Sequence, residues 1–366
     1  MASEKTRIGI IGLGLIGGSI ARALKRNGDK YSITAWDQHE DSLQKALSDG
    51  VVDHGVSLLG EGFKDSEIIF LCVPVYSMKD ILINLVPSLP HNCILTDVGS
   101  TKGEVLNIIT ELDLNRLFIG GHPLAGSEKS GYSASKANLF ENVYYCLTPV
   151  ENSDRNTMER LATLVKDMGA IPIEISPEEH DKVTAAISHV PHVVAALLVN
   201  LVGKLDNSQN TMKTIAAGGF KDITRIASSS PDLWTGICLS NKEKVLDTLS
   251  VLKDGLQRFE NDLKVGNKSN IQAFFDSARL LRGTFSERKS LIQKTFDIVV
   301  DVDDKPGIIA VIASALAKEN INIKNIGILN NRESEEGALQ IQFENEESRR
   351  RGMQTLTQLG YKNLTR

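Results

Sequence analysis

The stretch Ile8-Gly9-Ile10-Ile11-Gly12-Leu13-Gly14-Leu15-Ile16-Gly17-Gly18-Ser19 decides the reading of this chain. A β-branched run ends at Gly12, and Gly12, Gly14 and Gly17 fall at G-x-G-x-x-G spacing ahead of a helix-compatible stretch, Ser19 to Arg26. A strand, a glycine turn and a helix start in that order aim backbone N–H groups and the helix dipole at a pyrophosphate. Gly12 permits the tight turn, Gly14 lets the ligand approach, and Gly17 lets the helix pack on the strand, with Leu15 and Ile16 between them. A second apolar strand, Ser32 to Trp36, ends in Asp37. That is roughly twenty residues past the last glycine, where a carboxylate accepts hydrogen bonds from an adenine ribose and repels a 2′-phosphate. The expected ligand is therefore NAD; a bare glycine turn, or one serving S-adenosylmethionine, is the alternative.

At 366 residues the chain suggests two or three domains, each able to bury its own core. A net charge of −5 without a long basic block argues against nucleic acid or an anionic membrane as the main partner. Cys72, Cys93, Cys146 and Cys238 show no C-x-x-C spacing and read as reduced core thiols. Met1 to Lys5 leave no room for a signal peptide, and the most apolar long segment, Val183 to Val202, is interrupted by Ser188, His189, Pro191, His192 and Asn200. The chain reads as cytoplasmic.

Working outward, residues 1–176 alternate short apolar runs with helical ones, the pattern of a Rossmann-type doubly wound parallel sheet. Strands are expected at Arg7 to Ile11, Ser32 to Trp36, Ile68 to Val73, Ile94 to Asp97, Leu117 to Gly120, Tyr144 to Thr148 and Ile171 to Ile175. Ligands then meet beyond the strand carboxyl ends. Val73 and Pro74, closing the third strand, join the expected cofactor contacts. Residues 177–293 read as all-helical. Their helix from Pro191 to Leu205 is apolar nearly all round, so it must be buried on every side. Packing against a second copy satisfies that, and a homodimer is expected. Residues 294–366 follow the βαββαβ order of a ferredoxin-like domain.

Hydride transfer to NAD needs a carbon bearing a hydroxyl or amine and a base for the proton. His122, in a glycine-flanked turn after a strand, is the candidate base, with an ordinary pKa of about 6.5. Ser100, at another strand end, is placed to contact the reacting oxygen or the nicotinamide, or to cap the helix near Lys102. His189 and His192 bracket Pro191 at the head of the apolar helix. With His180 they raise a metal site, but neither cysteine nor carboxylate completes a ligand set. No metal is expected, and anion or substrate contact is the better account. Lys221 and Arg225, four apart, suit a dicarboxylate substrate; a solvated basic face partly paired by Asp222 is the bland alternative.

Taken together, Gly12 to Ser19, Gly99 to Lys102, Gly121 to Gly131, Ser188 to His192 and Gly219 to Arg225 resemble the prephenate dehydrogenase family of tyrosine biosynthesis. The tail resembles an ACT domain through Asp304 to Gly307 and Asn320 to Ile323. The resemblance implies NAD-dependent oxidative decarboxylation of prephenate by the monofunctional form of the enzyme. His122 would draw off the proton of the ring 4-hydroxyl, and Ser100 would orient that hydroxyl and the nicotinamide. Arg225 and Lys221 would hold carboxylates, with His189, His192 and Glu128 lining the same pocket. L-Tyrosine is the effector the tail implies, held around Asp304, Pro306, Gly307 and Asn322. Arogenate dehydrogenase is the nearest alternative. A β-hydroxyacid dehydrogenase would use a lysine of the helical domain as its base, and an NAD-binding amino-acid sensor would need neither His122 nor Ser100.

Overall fold

The structure, a computed structural model, describes residues 5–126, 129–151, 153–287, 296–303, 305–329 and 336–365. The chain forms two compact units, Met1–Gly255 and Leu256–Arg366.

The first unit is built on β1 (Thr6–Ile11), whose alternate residues face opposite cores. Ile8 and Ile10 pack with Ile20, Leu24 and Ile33, while Ile11 packs with Ile69, Leu71 and Leu82. Such a strand, covered on both faces, has to lie in the middle of a sheet. β2 (Tyr31–Trp36) and β4 (Ile68–Leu71) pair with it in parallel on either side. β3 (His54–Gly55) and β5 (Ile94–Asp97) then complete the order β3-β2-β1-β4-β5. The order reverses between β1 and β4, which opens a crevice at their carboxyl ends. α1 (Leu15–Lys25) starts there. Gly12 has φ +95°, and a Cβ on it would sit 2.5 Å from the Cys72 carbonyl oxygen. A Cβ on Gly17 would overlap the Gly12 carbonyl oxygen, so helix and strand meet only through glycine.

The remaining strands depart from the expected single parallel sheet. β6 (Ile119–Pro123), β7 (Tyr144–Pro149) and β8 (Ile171–Glu174) form a second, three-stranded sheet. β6 runs antiparallel to β7, and β7 parallel to β8. The physical reason is the connection. Between β6 and β7 the described chain forms only a 3₁₀ turn at Tyr132–Ala134, whereas α5 (Arg155–Asp167) supplies the crossover that a parallel β7–β8 pair requires. β6 also begins and ends later than expected. His122 therefore lies inside the strand, opposite Cys146, and not in a turn after it.

From Pro177 to Leu205 the helix is continuous: α6 (Pro177–Thr184), a π-helical stretch Ala185–His189, and α7 (Val190–Leu205). This run is long and apolar enough to cross a membrane by length and composition. Its first half nevertheless buries His180, Asp181, Thr184 and His189. Among the described residues of this unit nothing covers the second half of α7, leaving Leu197, Val199, Leu201 and Leu205 exposed. α8 (Thr211–Ile215), α9 (Gly218–Thr224) and α10 (Pro231–Ser240) follow, and α11 (Lys242–Lys264) carries the chain across the division between units.

The second unit contains α12 (Lys268–Glu287), whose Phe274 and Phe275 contact Phe259, and then the tail. There β9 (Phe296–Asp303), α13 (Ile308–Lys318), β10 (Ile323–Leu329), β11 (Glu336–Phe343), α14 (Glu346–Gln358) and β12 (Asn363–Thr365) follow the expected βαββαβ order. The sheet is antiparallel with order β10-β11-β9-β12. Ile298, Val300 and Val302 alternate inward from β9 onto Ile312, Leu316 and Leu356.

Gly17→Ala should lower stability by about 1–3 kcal/mol, the usual cost of forcing an added carbon into a packed contact. Gly14→Ala, whose Cβ meets no atom within 4 Å, should change it by less than about 0.5 kcal/mol. Urea unfolding of the two variants checks this, and equal effects would remove the packing role assigned to Gly17.

Candidate active site

At the crevice, α1 begins at Leu15 with no side chain capping its first N–H groups, and the space in front of Gly14 is open. Uncapped helix N–H groups beside an open glycine fit a pyrophosphate. Leu15 and Ile16 are half-buried in the first turn of α1, and Val73 and Pro74 lead from β4 into α3 (Val75–Leu85) at the same edge. Asp37, just past β2, accepts the Leu13 N–H at 2.5 Å through one carboxylate oxygen and the His39 N–H at 2.7 Å through the other. It thereby braces the glycine turn. A carboxylate has about four acceptor sites, so two remain for a ribose diol.

A fully buried ion pair lies at the end of β5. Lys102 Nζ donates to Asp97 and to the Gly121 carbonyl oxygen, the latter at 2.8 Å. Asp97 also accepts the N–H groups of Gly121 at 3.0 Å and Gly99 at 2.8 Å. One carboxylate thus holds both the turn after β5 and the strand that carries His122. A Cβ on Gly121 would lie 2.5 Å from the Asp97 carbonyl oxygen, so only glycine lets the two backbones approach this closely.

His122 is buried, with Nδ1 2.8 Å from His180 Nε2. His180 Nδ1 is in turn 2.8 Å from Asp181 Oδ1. Asp181 also accepts the backbone N–H groups of Lys102 and Gly103, each at 2.8 Å, at the start of α4 (Gly103–Glu111). Burial pushes this carboxyl's pKa up, but the hydrogen bonds from His180, Gly103 and Lys102 outweigh it and leave Asp181 below the usual carboxylate value. His122 is held well below the usual histidine value by burial first, then by His180, Lys102 and His189. It is a neutral imidazole at physiological pH.

The helical part supplies the other wall. His189 is buried, with Nδ1 3.1 Å from Asn241 Nδ2 and, among the described residues, no partner at Nε2. Burial lowers its pKa to about 4, and the Ser100 backbone faces its ring. Asn241 also donates to the Asp181 carbonyl oxygen at 2.8 Å, and Thr101 Oγ1 lies 2.9 Å from Ser240 Oγ. His192 stacks on Trp234 with ring centroids 3.5 Å apart. Burial lowers its pKa, and Arg225 lies near enough to lower it further.

Several expected placements change. His189 and His192 do not sit at a helix N-terminus, because the helix starts at Pro177 and the Val190 N–H is already bonded to the Ala185 carbonyl oxygen. Anion contact through free backbone N–H groups is therefore ruled out there. Lys221 and Arg225 are both exposed, but α9 ends at Thr224 and Arg225 begins a 3₁₀ turn. Arg225 lies by His192, whereas Lys221 borders a groove with Val199, Gly203, Lys213 and Phe220. Glu128 lies outside the described residues. Sequence reading missed Asp97, Lys102, Asp181, Trp234 and Asn241, and weighed His180 only as a metal ligand. Two signals were available: an aspartate closing the run Ile94-Leu95-Thr96, and the His180-Asp181 pair in the polar first turns of a helix whose second half is apolar. Among the described residues no group of three or more His, Cys, Asp or Glu is placed to hold a metal ion.

Residues 20–174 match the family model described as prephenate dehydrogenase, nucleotide-binding domain, and residues 176–277 that described as prephenate dehydrogenase, dimerization domain. The chain is 40% identical to the prephenate dehydrogenase of Bacillus subtilis, over 97% of each chain. It is 35% identical to that of Lactococcus lactis, over 93% of this chain and 94% of the relative. Among solved structures it is similar to the Aquifex aeolicus prephenate dehydrogenase in complex with hydroxyphenyl propionate and NAD+. There the identity is 30% and the TM-score 0.72, covering 78% of this chain and all of that one.

Asp97→Asn should cost about 3–5 kcal/mol, because it leaves the Lys102 ammonium buried without its counter-ion. Adding Lys102→Met should return most of that loss. Urea unfolding of the single and double variants measures both, and a near-neutral single variant would show that the pair does not organise the site.

Proposed function

The chain belongs to the prephenate dehydrogenase family, and on that premise we propose that it converts prephenate and NAD to 4-hydroxyphenylpyruvate, CO2 and NADH. The observation that carries this reading is His122, a buried imidazole kept neutral by its surroundings beside the carboxyl ends of the strands. NAD, when bound, supplies the hydride acceptor; Gly12, Gly14, Leu15, Ile16, Gly17, Asp37, Val73 and Pro74 are the residues that would hold it. His122 accepts the hydroxyl proton at Nε2 as hydride leaves C4 of the ring. The C1 carboxylate departs as CO2, the ring becomes aromatic, and the proton returns to the phenolic oxygen. Ser100 orients that hydroxyl. Arg225 holds a substrate carboxylate, with His189 and His192 beside it; Lys221, bordering the neighbouring groove, contributes positive potential. Arogenate, with an amine in place of the side-chain ketone, is the competing substrate.

The exposed apolar face of α7 supports a homodimer formed through residues 177–293, with residues 1–176 as the nucleotide domain and residues 294–366 as a regulatory one. The buried polar network in Pro177–Leu205 supports reading that helix as a subunit contact in a cytoplasmic enzyme, not as a membrane span. The tail acts as an ACT domain that binds L-tyrosine. Its βαββαβ topology supports this, as does Gly307, which at φ +90° opens α13 with no side chain among the described residues capping the first N–H groups. Pro306, Gly307 and Asn322 are exposed there; Asp304 lies outside the described residues.

His122→Asn should reduce kcat by about 10²–10⁴-fold, the usual worth of a general base, with NAD affinity intact. Because the base acts when unprotonated and its pKa is depressed, the rising limb of kcat/KM for the unaltered enzyme should lie below the ordinary histidine range and vanish in the variant. Rates with prephenate and arogenate in parallel decide the substrate, and a variant with full turnover would remove His122 from the chemistry.

A chain ending at residue 290 should keep dehydrogenase activity and lose inhibition by L-tyrosine. Inhibition requires tyrosine to bind a less active arrangement more tightly than the active one, since equal binding shifts nothing. Unchanged inhibition of the shortened chain would instead place tyrosine in the active site as a product analogue.

A further inference from the structure

The partners of His180 determine what each ring nitrogen of His122 can do. Asp181 is an ionised carboxylate and only accepts hydrogen bonds. Its partner at 2.8 Å, His180 Nδ1, must therefore carry hydrogen. Taken as a neutral imidazole, His180 has one N–H, so that its Nε2 is bare. That bare nitrogen is 2.8 Å from His122 Nδ1 and can only accept from it. His122 is thus Nδ1–H, and its Nε2 keeps the lone pair. All three side chains are buried, so solvent offers no competing partner.

We propose that His180 and Asp181 are positioning residues that lock His122 in the Nδ1–H tautomer and spread the positive charge it gains when Nε2 takes a proton. The proposal rests on His122 being the base. The other groups facing His122 do not favour an imidazolium. Lys102 approaches from the start of α4, His189 from the π-helical stretch, and on β7 its opposite number is the buried thiol Cys146. Asp97 is taken up by Lys102. Among the described residues Asp181 is the anion left to offset the charge, and it reaches His122 through one imidazole. The proton balance closes without further transfer: one proton passes from the substrate hydroxyl to His122 Nε2 and later returns, while Nδ1–H stays bonded to His180. Asp181 itself is fixed by the N–H groups of Lys102 and Gly103 and, through its carbonyl oxygen, by Asn241. The relay is therefore anchored to α4 at one end and to the helical part at the other.

The test compares His180→Leu with His180→Gln in the full chain, read by kcat, NAD affinity and nitrogen NMR of ¹⁵N-histidine-labelled protein. In the unaltered enzyme the His122 signals should show a protonated Nδ1 and a bare Nε2. His180→Leu removes the acceptor, so the tautomer preference should be lost and kcat should fall by about 10²-fold, with NAD affinity unchanged. In His180→Gln the new amide oxygen can accept from His122 while the amide NH2 donates to Asp181, so this variant should keep the tautomer and recover most of the loss. A protonated Nε2 in the unaltered enzyme overturns the proposal. So does a full rate in His180→Leu, or a glutamine variant that retains the tautomer yet is as slow as the leucine one. Full turnover in His122→Asn would instead sink the base assignment, and the NMR result would still report the tautomer.

Discussion

The Asp97–Lys102 ion pair is the constraint on which the active centre depends. Taking both charges out of water costs several kcal/mol per ion before any attraction is counted, and such a pair persists only where further hydrogen bonds complete it. Here the Gly99 and Gly121 N–H groups and the Gly121 carbonyl oxygen do so. Each of those backbone groups is thereby placed. Beyond the isolated bridge between Leu95 and Phe118, the first sheet and the β6 strand are joined at this point by charge. The strand carrying His122 is held at the edge where β1, β4 and β5 end, and the proposed base inherits its position from an electrostatic requirement.

A second constraint follows from Asp181. A carboxylate at a helix N-terminus satisfies N–H groups that have no partner inside the helix and opposes the positive end of the dipole. In this chain the carboxylate at the start of α4 comes from a different helix, α6, and also takes the N–H of His180. Capping, inter-helix contact and imidazole orientation are one set of hydrogen bonds. The polar first half of Pro177–Leu205 therefore faces the nucleotide part of the same unit, while the apolar second half of α7 is left uncovered. The division along one continuous helix mirrors the proposed division of labour between chemistry and subunit contact.

Sequence by itself determined whatever depends on local spacing. The glycine turn had to be a turn because Gly12 and Gly17 have backbone where any other residue has a Cβ, and the helices α2 (Glu40–Ser48), α4 and α5 appear where their apolar spacing puts them. The βαββαβ tail was legible for the same reason, through alternation along β9 and the periodicity of α13 and α14. His122 and Ser100 could be singled out as candidate catalytic groups from their type and neighbours. Only the tertiary structure decided which groups meet. Asp97 and Lys102 are five residues apart, but His122 and His180 are separated by 58, and no periodicity encodes that contact. The antiparallel turn of β6 against β7 was likewise hidden, because an apolar run shows that a strand is buried and says nothing of its direction. Pairing over such distances is selected by the free energy of burying a charge or an imidazole with its partner, a quantity set by the assembled core and by no stretch of chain alone.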